Sequence, residues 1–291
     1  MKRALFLALL WTQAALAGRA PGSALHRGLR DVELRNAQLD ERWRSSTPTQ
    51  VRGLGGCSAG TVEVLAGDNR FIVRQPQTYA HPTLERNLAQ TLRTNLAQQR
   101  LAAQMNEQDL VPGAVKGEIK TNLWNFQNGS EVMVVAAVPT SAQNASQAVK
   151  WRNHIGEHQR LASAIIDFFA EQRDRKSENI LVDQHGQAWL IDPDKTFGAP
   201  GSNALFRSQF FHGGLTGFTS AQERFEDLPE DIREVVEDIA DAEVGALTHV
   251  YGLLPREAKI LKLHAVRTRE IGLRQALDEY TASLGQYHQN Q

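Results

Sequence analysis

The apolar period of this sequence changes near Pro139, and no other feature constrains the fold as strongly. Before Pro139, short runs alternate or are continuously apolar, as strands do; after it, apolar residues mostly recur at helical spacing. Thr61–Leu65 and Arg70–Arg74 flank the turn residues Gly67-Asp68-Asn69 and read as an antiparallel hairpin. A helix is expected from about Pro82 to Met105, with Leu84, Leu88, Leu92, Leu96 and Leu101 near helical spacing and Pro82 in its first turn. Val111–Ile119 and Glu131–Val138 read as further strands. The second is apolar at nearly every position, as a buried central strand is, and Pro139 ends it.

Beyond a polar connection, His158–Gln172 reads as a helix around Leu161, Ile165, Ile166, Phe168 and Phe169. Asn179–Val182 and Ala188–Asp192 read as two short strands about the turn Asp183–Gly186. The chain is then irregular to about Glu226 and helical to its end, with helix starts at Pro229 and Pro255. The expectation is a two-lobed α+β fold. A small antiparallel β lobe with one helix covers residues 49–139, and a larger, mainly helical lobe covers 140–291. A polar lead-in at 18–48 carries a short helix near Leu29–Trp43.

Residues 1–17 stand apart from that fold. Lys2 and Arg3 precede an apolar run from Ala4 to Trp11, and Ala15-Leu16-Ala17 supplies small residues two apart, which is what signal peptidase reads. The run is shorter than the ~20 apolar residues of a membrane span, so no stable membrane insertion is expected. Cleavage after Ala17 implies a secreted or periplasmic protein, with delivery into a host cell as one route. Cys57 is the only cysteine, so an intramolecular disulfide is excluded. A net charge of −1, mixed along the chain, gives no electrostatic reason to expect nucleic acid. Asn128-Gly129-Ser130 and Asn144-Ala145-Ser146 are glycosylation sequons that matter only in a eukaryotic secretory route.

The stretch richest in chemistry runs from Arg173-Asp174-Arg175-Lys176-Ser177-Glu178-Asn179 to Trp189-Leu190-Ile191-Asp192. Phosphoryl transfer needs one carboxylate to orient an acceptor hydroxyl and take its proton. It also needs an amide oxygen and a second carboxylate to hold a divalent cation against phosphates. Asp174, Asn179 and Asp192 resemble, in type and spacing, the catalytic loop and metal-binding strand of the protein-kinase superfamily. Lys176 falls where many members carry a lysine. Asp192-Pro193-Asp194-Lys195 departs from the Asp-Phe-Gly of most members. In this it is more similar to the phosphatidylinositol 3- and 4-kinase relatives and secreted atypical kinases. Asp194 then reads either as an extra metal ligand or as a turn former after Pro193.

The resemblance implies roles upstream. Gly53-Leu54-Gly55-Gly56-Cys57-Ser58-Ala59-Gly60 is similar to a glycine-rich phosphate cover, with Gly55, Gly56, Ser58 and Gly60 close to the phosphates. Arg74 stands where a phosphate-anchoring lysine is expected, a non-conservative exchange. Either Arg74 holds the phosphates, or Lys116 or Lys120 reaches in, or nucleotide binds poorly. Glu85 would brace that cation, or else it serves the helix dipole. Ala136 to Val138 falls at the connection between lobes, where the backbone of Ala136 and Val138 would meet the adenine edge.

The resemblance therefore implies an exported atypical kinase using ATP with Mg²⁺ or Mn²⁺. Asp174 and Lys176 would be catalytic, Asn179 and Asp192 would hold the metal, and the acceptor would be a protein, lipid or small-molecule hydroxyl. A catalytically dead binding module and a nucleotidyl transferase of the same fold are the alternatives.

Overall fold

Helix α1 (Leu29–Ser45) forms because Val32, Leu39 and Trp43 recur at near-helical spacing, and all three are buried. The computed structural model describes residues 24–54, 61–75, 84–120, 122, 126–193, 196–197, 208–212 and 224–289, without the side chains of 84–86, 212 and 285–289. The signal segment, Cys57 and Asp194 lie outside the described residues.

Five strands follow the order β1-β2-β3-β5-β4, all neighbours antiparallel. They are β1 (Gln50–Gly53), β2 (Thr61–Ala66), β3 (Asn69–Arg74), β4 (Ala114–Glu118) and β5 (Glu131–Ala136). The expected hairpin is β2–β3, with Val62 opposite Val73 and Val64 opposite Phe71. These four residues share a face and pack beneath α1, where Trp43 meets Phe71 edge to face at 5.3 Å between ring centroids. The opposite face of β3 therefore presents Arg70, Ile72 and Arg74.

The structure departs from expectation at several points. Strand β1 lacks apolar alternation because it is a mostly exposed edge. Strand β4 begins at Ala114, since Leu110 and Val111 turn into the helical core, where Leu110 accepts a hydrogen bond from the Leu190 N–H at 2.8 Å. Strand β5 ends at Ala136, the last residue paired with β3, two residues short of Val138.

Helix α2 (Leu84–Gln104) connects β3 to β4. After β5 come the two-residue strand β6 (Gln143–Asn144), the short α3 (Val149–Arg152) and α4 (Glu157–Phe169), buried along most of its length. The expected pair of short strands is β7 (Ile180–Val182) and β8 (Ala188–Leu190), which β6 extends to a small sheet. Their turn depends on Gly186, at φ 85°, where a Cβ would lie 2.3 Å from the His154 carbonyl oxygen. Asp183 completes the turn, its Oδ1 accepting the His185 and Gln187 N–H groups.

The remaining described helices are α5 (Gln209–His212), α6 (Glu230–Asp241), α7 (Val244–Tyr251), α8 (Pro255–Ile271) and α9 (Leu273–Gln289). Ile232, Val236, Leu261 and Leu277 from these helices join Phe168 and Phe169 of α4 in one core, so the helical tail completes that core. The fold is thus α+β, with a smaller antiparallel β region and a larger mainly helical region. No described helix is long and apolar enough to cross a membrane.

Candidate functional site

Alternation along β3 aims Arg74 away from the sheet core and toward the helical region. There its Nη2 donates to Asp192 Oδ1 at 2.8 Å. The Arg74 side chain is mostly buried, whereas that of Asp192 is about a third exposed. Asp192 lies two residues beyond β8 with φ 62°, a left-handed backbone that turns the chain out of the strand. Pro193 follows, and its carbonyl lies 3.5 Å from the Thr94 hydroxyl of α2.

Two amide side chains tie the Asp174 loop to that point. Gln172 Nε2 donates to the Asp192 carbonyl at 3.0 Å, while its Oε1 accepts the Asp174 N–H at 3.3 Å. Asn179 Nδ2 donates to the Asp174 carbonyl at 2.7 Å, which sets the amide with its Oδ1 on the other side. Asn179 sits in a 3₁₀ turn just before β7, and its carbonyl accepts the Ile191 N–H at 3.0 Å. Asp174, Asn179 and Asp192 therefore belong to one hydrogen-bonded unit, with Arg74 reaching it from the sheet. Lys176 is exposed, and its carbonyl accepts the Asn179 N–H at 2.9 Å.

The loop is anchored from the far side as well. Glu171, at φ 48°, accepts from His264 Nε2 of α8 at 3.2 Å and pairs with Arg173 at 3.6 Å. Burial opposes ionisation of Glu171. The His264 hydrogen bond and the charges of His264 and Arg173 outweigh it, holding the carboxyl below the usual range.

Several expected residues sit elsewhere or outside this picture. Lys116 pairs with Glu131, and Lys120 donates to the Arg44 carbonyl at the end of α1, so neither turns toward Asp192. Gly55, Gly56, Ser58 and Gly60 lie outside the described residues, as does the side chain of Glu85. The Ala136 N–H donates to the Gly113 carbonyl at 2.8 Å, and the Val138 carbonyl accepts from Arg70, which also pairs with Glu63. A cavity of about 190 Å³ abuts Ala136–Pro139, but Arg35, Gln38 and Arg42 of α1 wall it. It lies on the α1 side, away from Arg74, and is smaller than the roughly 300–1,000 Å³ of ordinary ligand pockets.

Sequence reasoning missed the polar side of α2. Asn87, Thr91, Thr94, Asn95 and Gln98 recur at helical spacing and are all buried, with Thr94 and Gln98 toward the loop. Such a stripe reads in sequence as a solvated face. It also missed Gln172, read as the last residue of a helix that ends at Phe169, and Arg175, inside a segment whose polarity suggests a surface loop.

The donor set suits a hard divalent cation. Asp192 offers carboxylate oxygen and Asn179 amide oxygen, and among the described residues no group of three or more His, Cys, Asp or Glu could hold a metal. A divalent cation held by those two oxygens would keep the rest of its shell for water and phosphate. No protein-family model matches the chain, and no curated protein sequence matches it.

Proposed function

We propose that this protein is an atypical kinase that transfers the γ-phosphoryl group of ATP to an acceptor hydroxyl. The observation that carries the proposal is the Arg74–Asp192 contact between the sheet and the hydrogen-bonded unit of Asp174, Asn179 and Asp192. A cation aimed from a strand at the carboxylate that follows Ile191, whose N–H the Asn179 carbonyl accepts, suits gripping polyphosphate and metal together.

In this reading Asn179 and Asp192 hold Mg²⁺ or Mn²⁺, which would neutralise charge on the phosphates. Arg74 turns part of its fork from Asp192 to phosphate oxygens, and a planar guanidinium suits two oxygens at once. Asp174, half-buried at the loop surface, orients the acceptor hydroxyl and takes its proton. Lys176, exposed two residues on, would meet the transferred group. The acceptor is a protein, lipid or small-molecule hydroxyl met after export.

The test is transfer of labelled phosphate from ATP with Mg²⁺ or Mn²⁺, by the mature chain beside Asp174→Ala, read on itself and on a generic acceptor protein. Transfer by the parent and its loss in the variant support the proposal. Equal transfer by both would remove Asp174 from its role.

A second reading draws on the same contact. Because Arg74 already pairs with Asp192, a binding module without transfer also fits. It predicts nucleotide-dependent thermal stabilisation with no labelled product, and a nucleotidyl transferase would instead leave nucleoside monophosphate on its target.

A further inference from the structure

Arg175, the neighbour of Asp174, has no role in the reading above, yet its side chain is fully excluded from solvent. Its Nε donates to Asp167 Oδ1 of α4 at 3.0 Å. Its Nη1 donates to two carbonyls, that of Asn179 at 3.2 Å and that of Ile191. Its Nη2 lies 3.5 Å from Gln98 Oε1 of α2. The second Asp167 oxygen accepts the Ser208 hydroxyl at 2.8 Å, and the Gln209 N–H donates to the Arg175 carbonyl at 3.1 Å. Arg175 and Ser208 also form a parallel bridge.

A single guanidinium thus ties the Asp174 loop to Asn179, the residue before Asp192 and two helices, while Asp167 and the Arg175 backbone reach the segment entering α5. Stability alone is a poor reason for such a group. A buried ion pair contributes little over apolar residues of the same volume, because desolvation offsets its attraction. What the pair supplies is direction, since a planar fork fixes the angles and separations of its acceptors. Two of those acceptors are the carbonyls of Asn179 and Ile191, residues already linked by the Ile191 N–H, which donates to the Asn179 carbonyl. Their spacing sets that of the backbone from which the Asn179 amide and the Asp192 carboxylate project.

Burial pushes the Asp167 carboxyl up, against the Arg175 charge and the Ser208 and Arg175 hydrogen bonds. A guanidinium does not give up its proton, so a neutral Asp167 would leave a buried cation uncompensated. The pair is therefore ionic.

We propose that Arg175 is a positioning residue that fixes the separation of the metal-binding oxygens of Asn179 and Asp192. Through Asp167 and Ser208 it couples that separation to the seating of the segment entering α5. The inference rests on the nucleotide–metal reading above and adds a residue to it.

The test separates position from stability. Truncating Arg175 alone strands Asp167, so the informative variant is the apolar replacement Asp167→Leu with Arg175→Met and Ser208→Ala. Mn²⁺ binding in the presence of a non-hydrolysable ATP analogue is read by electron paramagnetic resonance. Binding of the analogue without metal is read by calorimetry.

The expected result is a loss of Mn²⁺ affinity of roughly tenfold or more, the scale seen when groups that orient metal ligands are removed. Affinity for the metal-free analogue should stay within about twofold, a split that general loosening of the fold would not produce. Mn²⁺ affinity within about twofold of the parent overturns the inference while leaving the nucleotide–metal reading in place. If the parent itself binds no Mn²⁺ with the analogue, the reading fails first and the inference with it. Should the triple variant not fold, Arg175→Lys replaces it under the same criterion, since lysine keeps the buried charge and lacks the fork. Ser208→Ala alone should lower Mn²⁺ affinity by a smaller factor, and no change in it would overturn the coupling to the α5 segment.

Discussion

The small sheet and the helical region are held together in opposite ways. The sheet closes its core with a few β-branched and aromatic residues under α1, chiefly Val62, Val64, Phe71 and Val73 against Leu39 and Trp43. The helical region is built around α4 and takes in α6 to α9, the C-terminal half of α2 and Ala24 and Leu25 ahead of α1. Where they meet, Leu29 of α1 packs against the helical core, and Arg74 of the sheet pairs with Asp192 of the helical region. That polar contact at the junction sets charged groups where a charged ligand can meet both regions.

The sharpest way to break this comparison is at the junction itself. Asp192→Ala should lower phosphate transfer by about 10²–10⁴-fold while leaving both cores folded, checked by initial rates and near-ultraviolet circular dichroism. Unchanged rates would put the chemistry elsewhere.

Next in size is Arg175→Ala, which leaves Asp167 as an unpaired buried charge. Urea unfolding should show a loss of about 3–5 kcal/mol, far more than any exposed ion pair yields.

Phe71→Ala is expected to cost about 3–4 kcal/mol, confined to the sheet. Hydrogen exchange should speed up at β2 and β5 amides and leave α8 unchanged; equal acceleration in α8 would mean the two cores unfold as one. Gly186→Ala should cost roughly 2 kcal/mol by thermal melting, because its φ of 85° and the His154 carbonyl both oppose a side chain.

The smallest effect concerns pH. His158 at the start of α4 lies between Glu107 and Asp231 of α6, at 2.8 and 3.1 Å. The Glu107 hydrogen bond, opposed by burial and helped by Asp231, raises its pKa to about 9. A raised folded-state pKa means the stabilisation is complete below the unfolded value near 6.5. It is lost as pH rises through about 9. His158→Gln should flatten the alkaline limb of the stability–pH curve, and an unaltered limb would remove His158 as its source.

Legibility in the sequence followed periodicity closely. The β2–β3 hairpin, α2 and α4 carry apolar repeats that favour one secondary structure, and β5 is legible as a short, β-branched apolar run stopped by Pro139. The β7–β8 pair, which Asn179 precedes and Asp192 follows, was equally plain, because two short apolar strands flank a run of turn residues. What escaped has the opposite character. Strands β1 and β6 are too short and too polar to alternate. The Asn87–Gln98 stripe and Arg175 are buried by partners far along the chain, and nothing in a local window tells a buried polar residue from a solvated one. Gln172 likewise gains its role from a backbone turn twenty residues away.

The most direct test is calorimetric titration of ATP into the mature chain, with and without Mg²⁺, beside Asp192→Ala. The polar junction predicts binding that depends on Mg²⁺ in the parent and falls at least about tenfold in the variant. Binding that is absent in the parent, or equally tight in Asp192→Ala, would contradict a nucleotide–metal site between the two regions.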